Sequence, residues 1–183
     1  MLDFLFRRGN PTNHWRRSRD LPLTATLDEP SLNGVALGSR FEHLSSLGRN
    51  DGSQLGSLCY FDLGVRVDHA KDGTFQGFAI VLADEEDEFQ PYRGTLSWKR
   101  NPFDIHHLTR NDLASVFGDW YWMDTDDSES IAFYEFPGYE MQIELALSGA
   151  IKAIILTNDP LMADLEQRDA YNVDKAWPPH YDT

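Results

Sequence analysis

Cysteine is nearly absent from this chain: Cys59 stands alone among 183 residues. No disulfide can form within it, and a reducing compartment, the cytoplasm, is the expected setting. Long apolar runs are missing too. The opening MLDFLFRRGNP has an apolar stretch too short for a signal segment, with its charges after the stretch instead of before it. No later run approaches the roughly 20 apolar residues that span a bilayer, so no membrane span is expected. Basic charge is scarce outside the start, where Arg7, Arg8, Arg16, Arg17 and Arg19 cluster, and the net charge is −14. So acidic a body repels nucleic acid and anionic lipid, because phosphate binding rests on Lys and Arg neutralising charge. A basic partner protein is the complementary expectation.

The signatures of common catalysis are also missing. There is no G-x-S-x-G elbow, no phosphate-cradling glycine loop and no G-x-G-x-x-G. Cys59 falls in a predicted strand, where a lone cysteine serves as a small hydrophobe. His106 and His107, with Asp104 and the later Asp124, Asp126, Asp127 and Glu129, come nearest to a metal or acid–base site. Adjacent histidines, however, point to opposite faces of a strand or sit about 100° apart on a helix, which is poor spacing for one ion. The DTDDSE stretch lacks the glycine and distant glutamate of a calcium loop, and the DEEDE run from Asp84 to Glu88 reads as a solvated loop. The expectation is therefore no catalytic residue, no metal and no cofactor. The alternative is a small acid–base or metal-dependent hydrolase using the acidic loop and the histidine pair.

What the chain does contain is patterned. With 41% hydrophobic and 13% aromatic residues it has the material for a packed core without metal or disulfide staples. In the stretch 130–157, Tyr139, Met141, Ile143, Leu145 and Leu147 alternate with Glu140, Gln142, Glu144 and Ala146, the period of a strand with one buried face. Pro137-Gly138 and Ser148-Gly149 divide this stretch into a three-stranded antiparallel meander.

A similar order precedes it. Leu37, Phe41, Leu44 and Leu47 have helical spacing, with Ser39 as N-cap and Gly48 as stop. Three strands follow, broken at Leu63-Gly64 and at Asp72-Gly73, the latter read as a type I′ turn. In the second half Leu113, Val116 and Phe117 form a helix between Thr109 and Gly118. Gly48 falls on Gly118, Gly64 on Gly138 and Gly73 on Gly149, an ordered match that implies duplication. The expected organisation is a basic arm at 1–30, helix-meander units at 31–100 and 101–158, and a tail with a short helix at 159–183. The stretch FQPYRGTLSWKR is expected to be an edge strand, since Pro cannot donate to a ladder.

The segments LNGVALGSRFEHLSSLG and HLTRNDLASVFGD, each followed by a meander, resemble the helix-then-glycine opening of the repeats in the β-lactamase inhibitor protein and the SmpA/OmlA lipoproteins. The GVALG opening and FYEF-type strand are also similar to those of an uncharacterised bacterial family. The first resemblance implies an α+β fold of two tandem helix-plus-antiparallel-meander units, with helices on one sheet face and a partner protein on the other.

If the helices cover the apolar side, the opposite side carries Glu140, Gln142, Glu144 and Lys152, with Arg66, Asp68 and Gln76 at matching places in the first unit. Trp120 and Trp122 supply an aromatic anchor of the kind that dominates binding hot spots. These residues point to a non-catalytic protein-binding module of inhibitor, immunity or adaptor type, directed at a basic partner.

Overall fold

The computed structural model describes residues 10–18, 22–54, 56–83 and 88–179. The described strands, in chain order, are β1 (Thr24–Thr26), β2 (Ser31–Leu32), β3 (Val35–Ala36), β4 (Gly52–Gln54), β5 (Ser57–Tyr60), β6 (Val65–His69), β7 (Phe75–Val81), β8 (Thr95–Trp98), β9 (Asn101–Phe103), β10 (Trp122–Thr125), β11 (Glu129–Phe136), β12 (Tyr139–Ala146) and β13 (Ile151–Thr157). They form an eight-stranded sheet of order β10-β11-β12-β13-β7-β6-β5-β4 and a five-stranded sheet of order β3-β2-β1-β8-β9. The fold is α+β, mostly antiparallel sheet with a few short helical turns.

All pairings in the large sheet are antiparallel. Val65, Val67, Phe78, Ile80, Ile154, Leu156, Met141 and Ile143 line up across it on one face and are fully buried. Each such side chain contributes roughly 1.5–3 kcal/mol on removal from water. The cover over this face is more than helices. Ala25, Leu27, Leu32, Leu96 and Trp98 of the small sheet share the same core with Phe41, Leu44 and Leu47 of the first helical turn and Leu113 and Phe117 of the second.

The two helical turns differ from expectation in an instructive way. Phe41–Leu47 is a 3-10 helix, preceded by Arg40 with no side-chain cap. Its buried residues Phe41, Leu44 and Leu47 recur every third position, the repeat that eclipses on a 3-10 helix and would drift around an α-helix. Leu37 lies before it. At the second turn, the Thr109 N–H and hydroxyl each donate to the Asp112 carboxylate at 2.8 Å, opening the α-helix Leu113–Phe117. Gly48 and Gly118 end the two turns with φ 84°, ψ −170° and φ 87°, ψ −170°, a region closed to side-chain-bearing residues.

The hairpin after β6 is not a type I′ turn. Gly73 has φ 84° while Asp72 does not enter the positive region, and the Gly73 N–H donates to Ala70 O at 3.0 Å. The hairpin after β12 closes in the same manner, Gly149 N–H to Ala146 O at 2.8 Å. Leu147 sits on that turn, 67% exposed, so the buried alternation of β12 stops at Leu145. The true type I′ positions are Asn33-Gly34 and Lys99-Arg100, each with positive φ at both residues.

The central pairing of the large sheet, β13 with β7, is symmetric. Ala153 faces Val81 and Thr157 faces Gly77, with Ala79 opposite Ile155 at the midpoint. The bonds just beyond are matched: Leu82 N–H to Lys152 O at 2.7 Å and Asn158 N–H to Gln76 O at 2.9 Å. Each outer hairpin carries one register shift, at Asp68/His69 and at Glu144/Leu145.

Residues before 31 are more than an arm. β1 pairs in parallel with β8, which places β8 inside the small sheet and not at its edge. Trp15 is buried against Phe41, ring centroids 4.7 Å apart. Thr12 is fully buried, its hydroxyl donating to Asn50 Oδ1 at 2.6 Å. The LDFLF plug, with Arg7, Arg8 and Arg19, lies outside the described residues.

Candidate functional site

Side chains alternate across the large sheet, so Arg66 and Asp68 of β6 and Gln142 and Glu144 of β12 all leave the face away from the core. Between them run β7 and β13, whose side chains on this face are small: Gly77, Ala79 and Ala153, with Ile155 and Thr157. Strands lie about 4.8 Å apart, so β6 and β12 stand about 14 Å apart, and the floor between them, Ala79 at 2% and Ala153 at 4% exposed, lies beneath the flanking side chains. A Cβ on Gly77 would sit 2.9 Å from Leu156 O, so glycine here lets the two central strands close up.

The charges along the strip are mixed. Lys152 Nζ donates to Glu129 Oε2 at 2.9 Å, the two side chains 19% and 31% exposed. Burial, above all, raises the proton affinity of the Glu144 carboxyl; Arg66 and Lys152 oppose that and Glu129 adds to it. Gln76 occupies the bulge of β7 and its carbonyl takes the Asn158 N–H.

The outer thirds of this face are covered. Over β5 and β7, Phe89 packs with Cys59, Val81 and Phe61, the Phe61 and Phe89 rings meeting edge to face at 4.8 Å. Over β10 and β11, the C-terminal segment lays Met162, Leu161, Tyr171, Val173 and Trp177 on Tyr121, Trp122, Ile131 and Phe133. Cys59 is indeed a buried small hydrophobe, its thiol proton held more firmly by burial.

That cover corrects two expectations. Glu140 is not at the surface but 0% exposed, because it accepts the Leu161 N–H at 3.3 Å, the Met162 N–H at 3.1 Å and the Gln142 Nε2 at 2.6 Å. Trp120 packs on the core of the opposite face and Trp122 lies under the C-terminal segment, so neither stands out as an anchor. Arg66, Asp68, Gln76, Gln142, Glu144 and Lys152 remain half-buried at and around the central strip.

The residues of the hydrolase alternative are engaged locally. His107 Nε2 lies 3.4 Å from Asp104 Oδ2 at the surface. Asp126 accepts the Ser128 N–H and hydroxyl at 2.7 Å and the Glu129 N–H at 2.9 Å, which closes the turn between β10 and β11. Of the DEEDE run, Asp84 to Asp87 lie outside the described residues, and Glu88 accepts from Gln54 Nε2. Among the described residues, no three or more His, Cys, Asp or Glu side chains are grouped to hold a metal ion, and no helix is long and apolar enough to cross a membrane.

Two participants escaped the sequence reading. Glu129 was read as part of an acidic loop, because nothing local shows that it faces Lys152 across two strands. Glu135 has Glu140 directly opposite it in the ladder, a pairing that the sequence reading does not draw. The alternation of 139–146 extended back through the Pro137-Gly138 hairpin was the signal that could have placed those two glutamates together.

The sequence matches no protein-family model and no curated protein. Among solved structures, the chain is similar to a DUF4309 family protein, YjgB, from Bacillus subtilis subsp. subtilis str. 168. The TM-score is 0.50 at 12% sequence identity, over 70% of this chain and 86% of that one. The likeness is one of fold.

Proposed function

We propose that the chain is a non-catalytic protein-binding module made of two duplicated helix-and-meander units, which uses the central strip of its large sheet to hold a basic partner. Duplication is supported by a chain of matched details. Arg40 bridges to Thr74 as Thr109 does to Ala150. Phe41 N–H reaches Gly73 O at 2.9 Å as Arg110 N–H reaches Gly149 O at 3.0 Å. Tyr60 and Tyr134 both bury hydroxyls that lack a partner. The register shifts at Asp68 and Glu144 fall 76 positions apart, as do Gly73 and Gly149.

The observation that carries the binding reading is selective cover. Phe89 and the C-terminal segment shield the outer strands, and over the central strands the half-exposed side chains are the polar Arg66, Asp68, Gln76, Gln142, Glu144 and Lys152. Polar side chains around Ile155 and Thr157 suit an extended partner segment that lies across their tips and is read by its charges. With a net charge of −14, long-range attraction favours a basic partner and speeds its arrival.

The test is affinity capture from the native host with mass spectrometry, repeated with Asp68→Lys and Glu144→Lys together. Loss of a basic protein from the captured set supports the reading. Capture that is unchanged by both reversals removes this strip from consideration.

A further inference from the structure

The segment 158–179 is attached in an unusual way. The Asn158 N–H makes the last ladder bond to Gln76 O at 2.9 Å, and beyond it, among the described residues, no backbone–backbone hydrogen bond ties the segment to the rest of the chain. It is held by side chains. Glu140 takes the N–H groups of Leu161 and Met162. Glu135 Oε2 takes the Trp177 Nε1–H at 3.0 Å. Lys175 Nζ donates to Tyr121 O at 2.7 Å and the Tyr121 hydroxyl returns a bond to Lys175 O at 3.0 Å.

Two carboxyls thus fasten the segment, and they are direct cross-strand neighbours. Glu135 is 9% exposed and Glu140 0%. Cations of the segment are committed elsewhere: Arg168 donates to Met162 O and Ala163 O, and Lys175 to Tyr121 O. Around the pair, Tyr121 lies near Glu135, Asp174 and Arg168, and Tyr171 near Glu140, Asp124, Glu129 and Glu144, so carboxyls outnumber the nearby cations Arg168 and Lys175. Glu140 is fixed as an acceptor by three N–H donors. Among the described residues no donor reaches the buried Glu135 Oε1, which leaves it as the oxygen to carry a proton towards Glu140. Two adjacent buried carboxylates without a cation cannot both stay ionised at ordinary cost.

We propose that the segment 158–179 is a proton-fastened strap: Glu135 holds a proton while the strap is docked and releases it when the strap lifts, so the strap opens as pH rises. Burial first, and the hydrogen-bonding contact with Glu140 second, push the Glu135 carboxyl up to about 8 against the opposing hydrogen bond from Trp177. Once the strap lifts, Glu135 meets water and returns towards the usual carboxylate range. Docking is then complete below that range and weakens as pH climbs through about 8. Lifting exposes Phe133, Ile131 and Trp122, whose indole Nε1 is buried without a partner under the strap.

Nuclear magnetic resonance on the full chain tests this. The Trp177 indole and Met162 amide resonances of the wild type should move from docked towards open positions between about pH 5 and pH 9, the opening constant rising by up to about tenfold per pH unit. Glu135→Gln, which keeps an acceptor for Trp177 and cannot ionise, should hold the docked positions throughout. Identical profiles for wild type and Glu135→Gln, or a wild-type strap that stays docked at pH 9, overturns the proposal. A carboxyl-carbon titration of the wild type gives a reading that does not depend on the variant folding: Glu135 titrating in the ordinary carboxylate range also overturns it.

Discussion

Glu135 and Glu140 face each other across adjacent antiparallel strands, both buried, one binding the Trp177 indole and the other the amides of Leu161 and Met162. A like-charge pair in such a place is a source of instability unless one member is protonated. The effect on the whole fold has a definite sign. Glu135 is raised from its ordinary value to about 8; its contribution is therefore fully present below the unfolded value of about 4.5 and lost as pH rises through about 8. Urea unfolding should give a midpoint that falls from pH 5 to pH 9. The loss should be of the order of 2–4 kcal/mol, bounded by about 1.4 kcal/mol per pH unit. The same series on Glu135→Gln should fall less steeply, keeping the smaller loss that half-buried Glu144 contributes.

Gly64 and Gly138 close the β5–β6 and β11–β12 hairpins and both have positive φ, 65° and 88°. Their surroundings differ. A Cβ at Gly64 would lie 2.5 Å from Gln90 O and 2.6 Å from Tyr92 N, whereas Gly138 has nothing within 4 Å. Gly138→Ala should cost only about 1 kcal/mol, the backbone strain alone. Gly64→Ala should cost upwards of about 3 kcal/mol because the segment carrying Tyr92 must move. Denaturant midpoints of the two variants check the difference.

Gly77→Ala addresses the centre of the sheet. Its Cβ would sit 2.9 Å from Leu156 O and 3.4 Å from the Thr157 Cβ, so β7 and β13 would have to part at their joint. A cost of about 1–3 kcal/mol is expected, measured by thermal or urea unfolding. Partner capture should also fall, because the floor of the strip would no longer be flat.

Thr12→Val should detach the N-terminal segment from the body. The Thr12 hydroxyl donates to Asn50 Oδ1 at 2.6 Å and takes the Asn50 N–H at 3.1 Å. Valine fills the space but leaves a buried amide N–H unpaired, at a cost of about 1–3 kcal/mol. Amide exchange around Trp15 should accelerate several-fold, while exchange in β12 and β13 stays unchanged.

Much of the architecture was legible from glycines and alternation. Gly48, Gly118, Gly73 and Gly149 mark ends and turns because their backbone angles exclude other residues, and that signal is local. The meander 139–157 was visible through its period of two. What failed to show was whatever depends on distant partners. The pairing of β1 with β8 joins Thr24 to Thr95, and nothing near either residue announces it. Asn33-Gly34 was a strong hairpin signal, overridden by the apparent helical spacing that begins at Leu37. At the site, alternation put Glu140 on the correct face, but a sheet face tells nothing of a segment that later folds back over it. Hence Arg66, Asp68, Gln142 and Glu144 were placed beside the strip while Glu140 was misjudged as exposed.

The parallel pairing of β1 with β8 also bears on how the protein is made. A ribosome releases Thr24 long before Thr95, and although β2 can pair with one edge of the first strand at once, the other edge must wait until the whole first meander and the crossing through Tyr92 have emerged. Contacts so far apart in sequence are slow to form. The small sheet therefore cannot close before β8 is released, and until then the open edge of β1 is a place where the newborn chain needs a chaperone.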